Sequence, residues 1–437
     1  MAPMPPKKVL IVSYLYPPMT AMGAVRAASF ARHLPKLGWQ PYVITVKPGS
    51  WVLSDAPIPE GEPPESVCRT ACVDVNKVVP RLFGGLFRAG GVTRSRSRRK
   101  NGFSLLAFGM SIYDSLLAFP DSTWPWYFLG RRQALAFAAR VKPDLILSTS
   151  YPFMSHVMAA EIQKALGVPW VAELRDLWSG NTQVQYSPFA RWEREKFEAR
   201  VLRRASALCT ASEPFAEELR RTLGKDVFVV MNGFEPEDYK KDVQPLKDFT
   251  VLFTGMTYPG KLDPDLLFRA VRSLKDEGRL IPGLRLAFYG PNHDVTKDLA
   301  REAGIEELVD CPGMVPAAQA LELQQRAHLL LVLDWNDAVS KGVFPGKLFE
   351  YLGAGRPILA IGQKEGVMDQ ALRKTGMGAV VSELGEVKEA LLKAFAAHQT
   401  GAPLMPERRP DEVARFTRER QAKVLAEKLS SLVEAKG

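Results

Sequence analysis

The sequence predicts an α/β protein made of two doubly wound, Rossmann-like domains. Three observations carry this expectation. A chain of 437 residues exceeds what one hydrophobic core organises. Short apolar runs alternate with amphipathic helical stretches almost throughout, the pattern of parallel sheets covered on both faces. The alternation then restarts after a polar segment, EPEDYKKDVQPLKD at 235–248, which has a linker's composition.

Taken in order, the first half offers strands at VLIVSYL (9–15), PYVITV (41–46), DLILSTS (144–150), WVAEL (170–174), ALCTAS (207–212) and VFVVMNG (227–233). Helical patterns such as AVRAASFARHLPKLG and SPFARWEREKFEARVLRRA lie between them. The second half offers FTVLFTG (249–255), LRLAFYG (284–290), LLLVL (329–333), PILAIG (357–362) and GAVVS (378–382). DEVARFTRERQAKVLAEKLSSLVEA reads as one long closing amphipathic helix. The predicted domains are therefore 1–240 and 245–410, followed by a helix at 411–437. Ligand sites are expected at the carboxyl ends of strands, in a cleft between the domains.

Composition narrows the class. A hydrophobic fraction of 46% and a charged fraction of 24% are ordinary for a globular protein. Cys68, Cys72, Cys209 and Cys311 are too few and too scattered for a disulfide framework and read as buried free thiols. MAPMPPKK followed by VLIVSYLYPP is too short and too polar-ended for a signal peptide. No apolar run approaches the length of a membrane span. The expected location is the cytoplasm, with the inner face of the plasma membrane as a possible peripheral site.

The net charge of +10 is uneven. No acidic residue lies between Asp74 and Asp114, while Lys77, Arg81, Arg88, Arg94, Arg96, Arg98, Arg99 and Lys100 do. Phe83, Phe87, Phe103 and Phe108 are interleaved. This insertion, at about 77–130, suits contact with an anionic membrane through 77–108. It equally has the composition of a solvated loop, and nucleic acid ranks well behind both.

The most informative segment is PGKLFEYLGAGRP, 345–357. Pro345 and Gly346 open a helix whose unpaired N–H groups and positive dipole end face outward. Lys347 and Glu350 lie three apart, on one face. A lysine at a helix mouth suits a diphosphate, and a carboxylate one turn deeper suits a ribose diol. The plain alternative is a capped surface helix with an ion pair. Gly255 to Lys261 imitates a P-loop, but Leu262 stands where a magnesium-binding hydroxyl belongs, and Pro259 removes a backbone donor. Asp263-Pro264-Asp265 imitates a manganese motif, yet capping of the next helix explains it better. His156 opens a helix after a strand, where an ordinary surface role fits best.

With those residues in view, the chain resembles retaining glycosyltransferases of family 4, which have the GT-B fold. The resemblance is specific at 345–357 and moderate at 9–37 and 249–268. It implies that the first domain binds the acceptor, the second binds a nucleotide sugar, and the closing helix crosses back to the first domain. It also implies transfer with retention from a nucleoside-diphosphate donor to a hydroxyl of a cell-surface glycan or lipid-linked acceptor. No metal and no cofactor are expected. Gly23, Gly255, Lys261, Val315, Lys347, Leu348 and Glu350 would bind the donor, with Lys261 and Lys347 steadying the departing diphosphate. Arg26 and Trp124 would face the acceptor. Arg175 and Asp176 stand where many relatives carry a histidine facing the reacting sugar. Gly342 stands where the family usually has the first of two glutamates. A nucleotide-sugar epimerase of the same fold, or a donor-binding protein without turnover, remain alternatives.

Overall fold

The structure, a computed structural model, describes residues 5–19, 21–48, 65–73, 75, 119–180, 188–258, 260–291, 293–334, 341–402, 405 and 407–435. The basic segment 77–108 and Pro259 lie outside them. The chain divides into two compact units. One comprises Met1–Val230 with Ala422–Gly437, the other Met231–Gln421.

The first unit holds a seven-stranded sheet formed by β1 (Lys7–Ser13), β2 (Trp39–Val46), β3 (Val67–Thr70), β4 (Leu145–Ser150), β5 (Trp170–Leu174), β6 (Ala207–Thr210) and β7 (Val227–Val229). Its order is β3-β2-β1-β4-β5-β6-β7, with every pair parallel. Both faces are buried, which is why the strands read as apolar runs rather than alternating ones. Leu10 and Val12 join a cluster with Phe137 and Met158, from the helices Pro125–Val141 and Met154–Leu166. Val9 and Ile11 face the opposite layer, where Ala27 and Phe30 of the helix Met22–His33 pack with Ala422, Leu425 and Leu429.

The second unit repeats the plan with six strands: β8 (Thr250–Thr254), β9 (Arg285–Tyr289), β10 (Val309–Gly313), β11 (Leu329–Leu333), β12 (Ile358–Ile361) and β13 (Gly378–Val381). The parallel order is β10-β9-β8-β11-β12-β13. Val251 and Phe253 pack toward the helix Asp265–Asp276, and Leu252, Leu330 and Val332 toward the helix Gly346–Ala354. Both units are Rossmann-like, as expected.

Two strands escaped the sequence. β3 and β10 are sheet edges whose residues are mostly half-buried or exposed, so neither carries an apolar run. The closing helix is also shorter than expected. A short helix, Pro410–Ala414, precedes Arg418–Glu434. Between them the backbone is diverted to Phe234, whose N–H donates to Phe416 and whose carbonyl accepts from Arg418, each at 3.0 Å. The last helix starts in the second unit, and from Ala422 onward it belongs to the first.

Candidate functional site

In the second unit, two bare stretches of backbone meet at the carboxyl ends of β8 and β9. Gly255 follows β8 with φ of +156°, and Gly290 follows β9 with φ of +151°. The Gly255 N–H donates to the Tyr289 carbonyl at 2.8 Å. A Cβ on Gly290 would lie 1.9 Å from the Gly255 carbonyl oxygen, so only glycine fits there. The Lys347 chain lies close by, its Cε 4.0 Å from where a Gly255 Cβ would stand.

Lys347 comes from the first turn of the helix Gly346–Ala354. Pro345 precedes it, and no side chain caps the helix start. That end therefore offers amide donors and a positive dipole to an anion. Lys347 Nζ sits 2.9 Å from Glu350 Oε2, with side chains 37% and 26% exposed. A pair this open contributes about 0–1 kcal/mol, so separating it to admit a ligand costs little. Glu350 Oε2 also accepts from Gln324 Nε2 at 2.9 Å, and the same Nε2 lies 3.0 Å from Thr254 Oγ1. Thr254 N–H donates to Tyr351 Oη at 3.0 Å. Burial pushes the Tyr351 phenol well above its ordinary value, keeping it neutral. On the far side, Tyr239 Oη donates to the Glu350 carbonyl at 2.9 Å. The ring fits because residue 353 is glycine, where a Cβ would come within 2.4 Å of it.

Lys261 lies within a tight turn closed by Tyr258 and Leu262, which exchange backbone hydrogen bonds at 2.7 Å. It lines an open cavity of about 700 Å³ that also touches Asp334, Lys341, Gly362 and Lys364, at the ends of β11 and β12. Gly255, Lys347 and Glu350 are not among its lining residues. The Asp263 carboxylate is occupied by backbone, accepting from Gly260 N–H at 2.5 Å and Asp265 N–H at 3.2 Å. The turn is backed by a buried hydroxyl contact between Thr257 and Thr296 at 3.0 Å, with His293 Nδ1 3.3 Å from Thr296 Oγ1. Burial lowers the His293 pKa.

The first unit brings together Gly23, Arg175 and Asp176. A Cβ on Gly23 would lie 3.1 Å from Arg175 Nη1 and 2.8 Å from Leu15 Cδ1. Arg175 in turn contacts Asp176 Oδ2 through Nη2 at 3.0 Å. Arg26 lies deeper, in the interior. Its Nε is 2.6 Å from Glu173 Oε1, and its Nη2 donates to the Val230 carbonyl at 2.6 Å. Both partners of this ion pair are buried. Trp124 is half-buried at the start of the helix Pro125–Val141, edge-on to the exposed Phe128 at 5.8 Å.

Other expected residues fall as follows. Leu348 is fully buried in the core beneath its helix. Val315 is half-buried just beyond β10, and Gly342 is buried. His156 is fully buried rather than at the surface, its Nδ1 2.8 Å from Ser148 Oγ, because its helix packs directly on β4. Of the thiols, Cys209 alone is buried, while Cys68, Cys72 and Cys311 are half-buried, all four free.

Sequence reasoning missed Gln324, Thr254, Tyr351 and Gly290. Only Gln324 carried a signal, as a polar residue three positions before the buried Ala327 that ends the helix Ala317–Arg326.

Comparison with known proteins agrees with this architecture. Residues 23–233 match the family described as glycosyl transferase 4-like domain. A sequence search of the curated proteins finds no match. Among solved structures, sucrose-phosphate synthase from Thermosynechococcus elongatus superposes with a TM-score of 0.64 at 15% identity, covering 98% of this chain and 100% of that one. Anabaena HepE in complex with UDP gives 0.61 at 15% identity, over 97% and 100%. The lipopolysaccharide outer core galactosyltransferase WaaB gives 0.55 at 13%, over 98% and 100%. The chain has the GT-B fold of these glycosyltransferase structures.

Proposed function

We propose that this protein transfers a sugar from a nucleoside-diphosphate donor to a hydroxyl of a cell-surface glycan or lipid-linked acceptor, with retention and without a metal. The observation that carries the reading is Lys347 at an uncapped helix start, paired with Glu350 one turn deeper and lying beside Gly255. An ammonium group, open amide donors and bare backbone suit a diphosphate. A carboxylate held a turn away suits the ribose hydroxyls. Anabaena HepE is known bound to UDP and to UDP-glucose, which supports a nucleotide-sugar donor here.

In the reaction, the bond between the anomeric carbon and the diphosphate oxygen breaks, and its electron pair leaves with the phosphate. The acceptor oxygen forms the new bond and gives up its proton to the departing diphosphate oxygen. Lys347 and the helix amides stabilise the growing charge, and Lys261 supplies a second cation. Gly23, Arg175 and Asp176 belong to the acceptor-binding unit, with Trp124 at its rim. The segment 77–108 holds the protein against an anionic membrane, each basic residue near the surface contributing about 1 kcal/mol.

A thermal-shift screen across UDP, GDP, CDP and ADP identifies the donor base. Incubation with the matching nucleotide sugar then separates the alternatives. Slow release of free sugar and nucleotide is expected of a transferase. Isomerised donor would instead establish an epimerase, and tight binding without either a sensor.

A further inference from the structure

Glu350 is held from below by a residue with no expected role. Gln324 is fully buried, and its amide nitrogen is shared between Glu350 Oε2 at 2.9 Å and Thr254 Oγ1 at 3.0 Å. Its own carbonyl oxygen, Oε1, is buried without a hydrogen-bond partner among the described residues. Turning the amide over would set Oε1 against the Glu350 carboxylate, so the orientation with Nε2 toward Glu350 is the one that fits. Lys347 Nζ, meanwhile, approaches the same Glu350 oxygen at 2.9 Å. Two donors therefore converge on Oε2 and leave Oε1 of Glu350 to accept from elsewhere.

We infer that Gln324 is a positioning residue: it fixes the rotation of the Glu350 carboxylate so that Oε1 meets the ribose hydroxyls of the donor. The inference rests on the proposed donor site. It assigns to Gln324 the discrimination between ribose and deoxyribose, a property distinct from diphosphate affinity. When Lys347 swings from Glu350 to a bound diphosphate, Gln324 is the donor that keeps the carboxylate in place.

The test is calorimetric titration with UDP and with 2′-deoxy-UDP, or with the GDP, ADP or CDP pair where thermal shift selects another base. Gln324→Met removes both the donor and the orphan acceptor. In the free protein it strands no neighbour, since Thr254 keeps Tyr351 and Glu350 keeps Lys347. The wild type is expected to prefer the ribose form roughly tenfold or more, and Gln324→Met to lose most of that preference while retaining affinity for the deoxy form and the melting temperature. Full preference in Gln324→Met, or an equal loss for both nucleotides, overturns the inference. Full preference in Glu350→Gln overturns instead the assignment of Glu350 to the ribose.

Discussion

A Cβ on Gly290 would stand 1.9 Å from the carbonyl oxygen of Gly255, so the turns after β9 and β8 share a gap too small for any side chain. Gly313, the last residue of β10, has φ of +95° but nothing within 4 Å of its Cβ position. The two glycines separate backbone strain from crowding. Gly313→Ala is expected to cost about 1–2 kcal/mol from strain alone. Gly290→Ala adds the collision and should cost about 3 kcal/mol or more. Urea denaturation of both variants checks this, and equal losses would show that the two turns do not constrain each other.

Arg26 and Glu173 form a fully desolvated pair, and Glu173 Oε2 has no further partner among the described residues. Arg26→Met leaves a buried carboxylate uncompensated and is expected to destabilise the first unit by about 3–5 kcal/mol. Adding Glu173→Leu should recover most of that loss. Denaturation followed by tryptophan fluorescence measures both. A double variant as unstable as Arg26→Met alone would mean that the pair's value lies in its geometry rather than in its charge.

His156 sets a pH dependence. Burial alone pushes its pKa from 6.5 down to about 3. The unfolded chain therefore takes up this proton near pH 6.5, whereas the folded chain resists until about pH 3. Stability from this group is complete above pH 6.5 and declines as the pH falls, by about 1.4 kcal/mol per pH unit. His156→Gln removes the titration, so its stability should fall less steeply between pH 6 and pH 4. Trp170 and Trp178, with ring centres 6.5 and 6.2 Å from His156, report the transition. Parallel slopes in the two proteins would rule the effect out.

Much of this architecture was legible because buried parallel strands are apolar on both faces. WVAEL and LLLVL coincide with β5 and β11 residue for residue. The edges β3 and β10 were illegible for the converse reason: their residues are mostly half-buried or exposed, unlike those of the edge strand β7. At the site, helical spacing predicted the meeting of Lys347 and Glu350. Gln324 meets Glu350 from a different helix, and no local pattern encodes such a contact. Arg26 shows the opposite limit: a charged residue in the first helix reads as a surface group until its buried partner Glu173, on β5, is seen.

Steady-state turnover of the nucleotide sugar by Lys347→Ala, beside Glu350→Ala, tests the account most directly. Losing a preorganised charge contact to a departing anion removes about 3 kcal/mol of barrier stabilisation, so Lys347→Ala should lower kcat by about a hundredfold. Glu350→Ala should chiefly raise KM for the donor. A Lys347→Ala protein that turns over at the wild-type rate would contradict the assignment of this helix start to the leaving diphosphate.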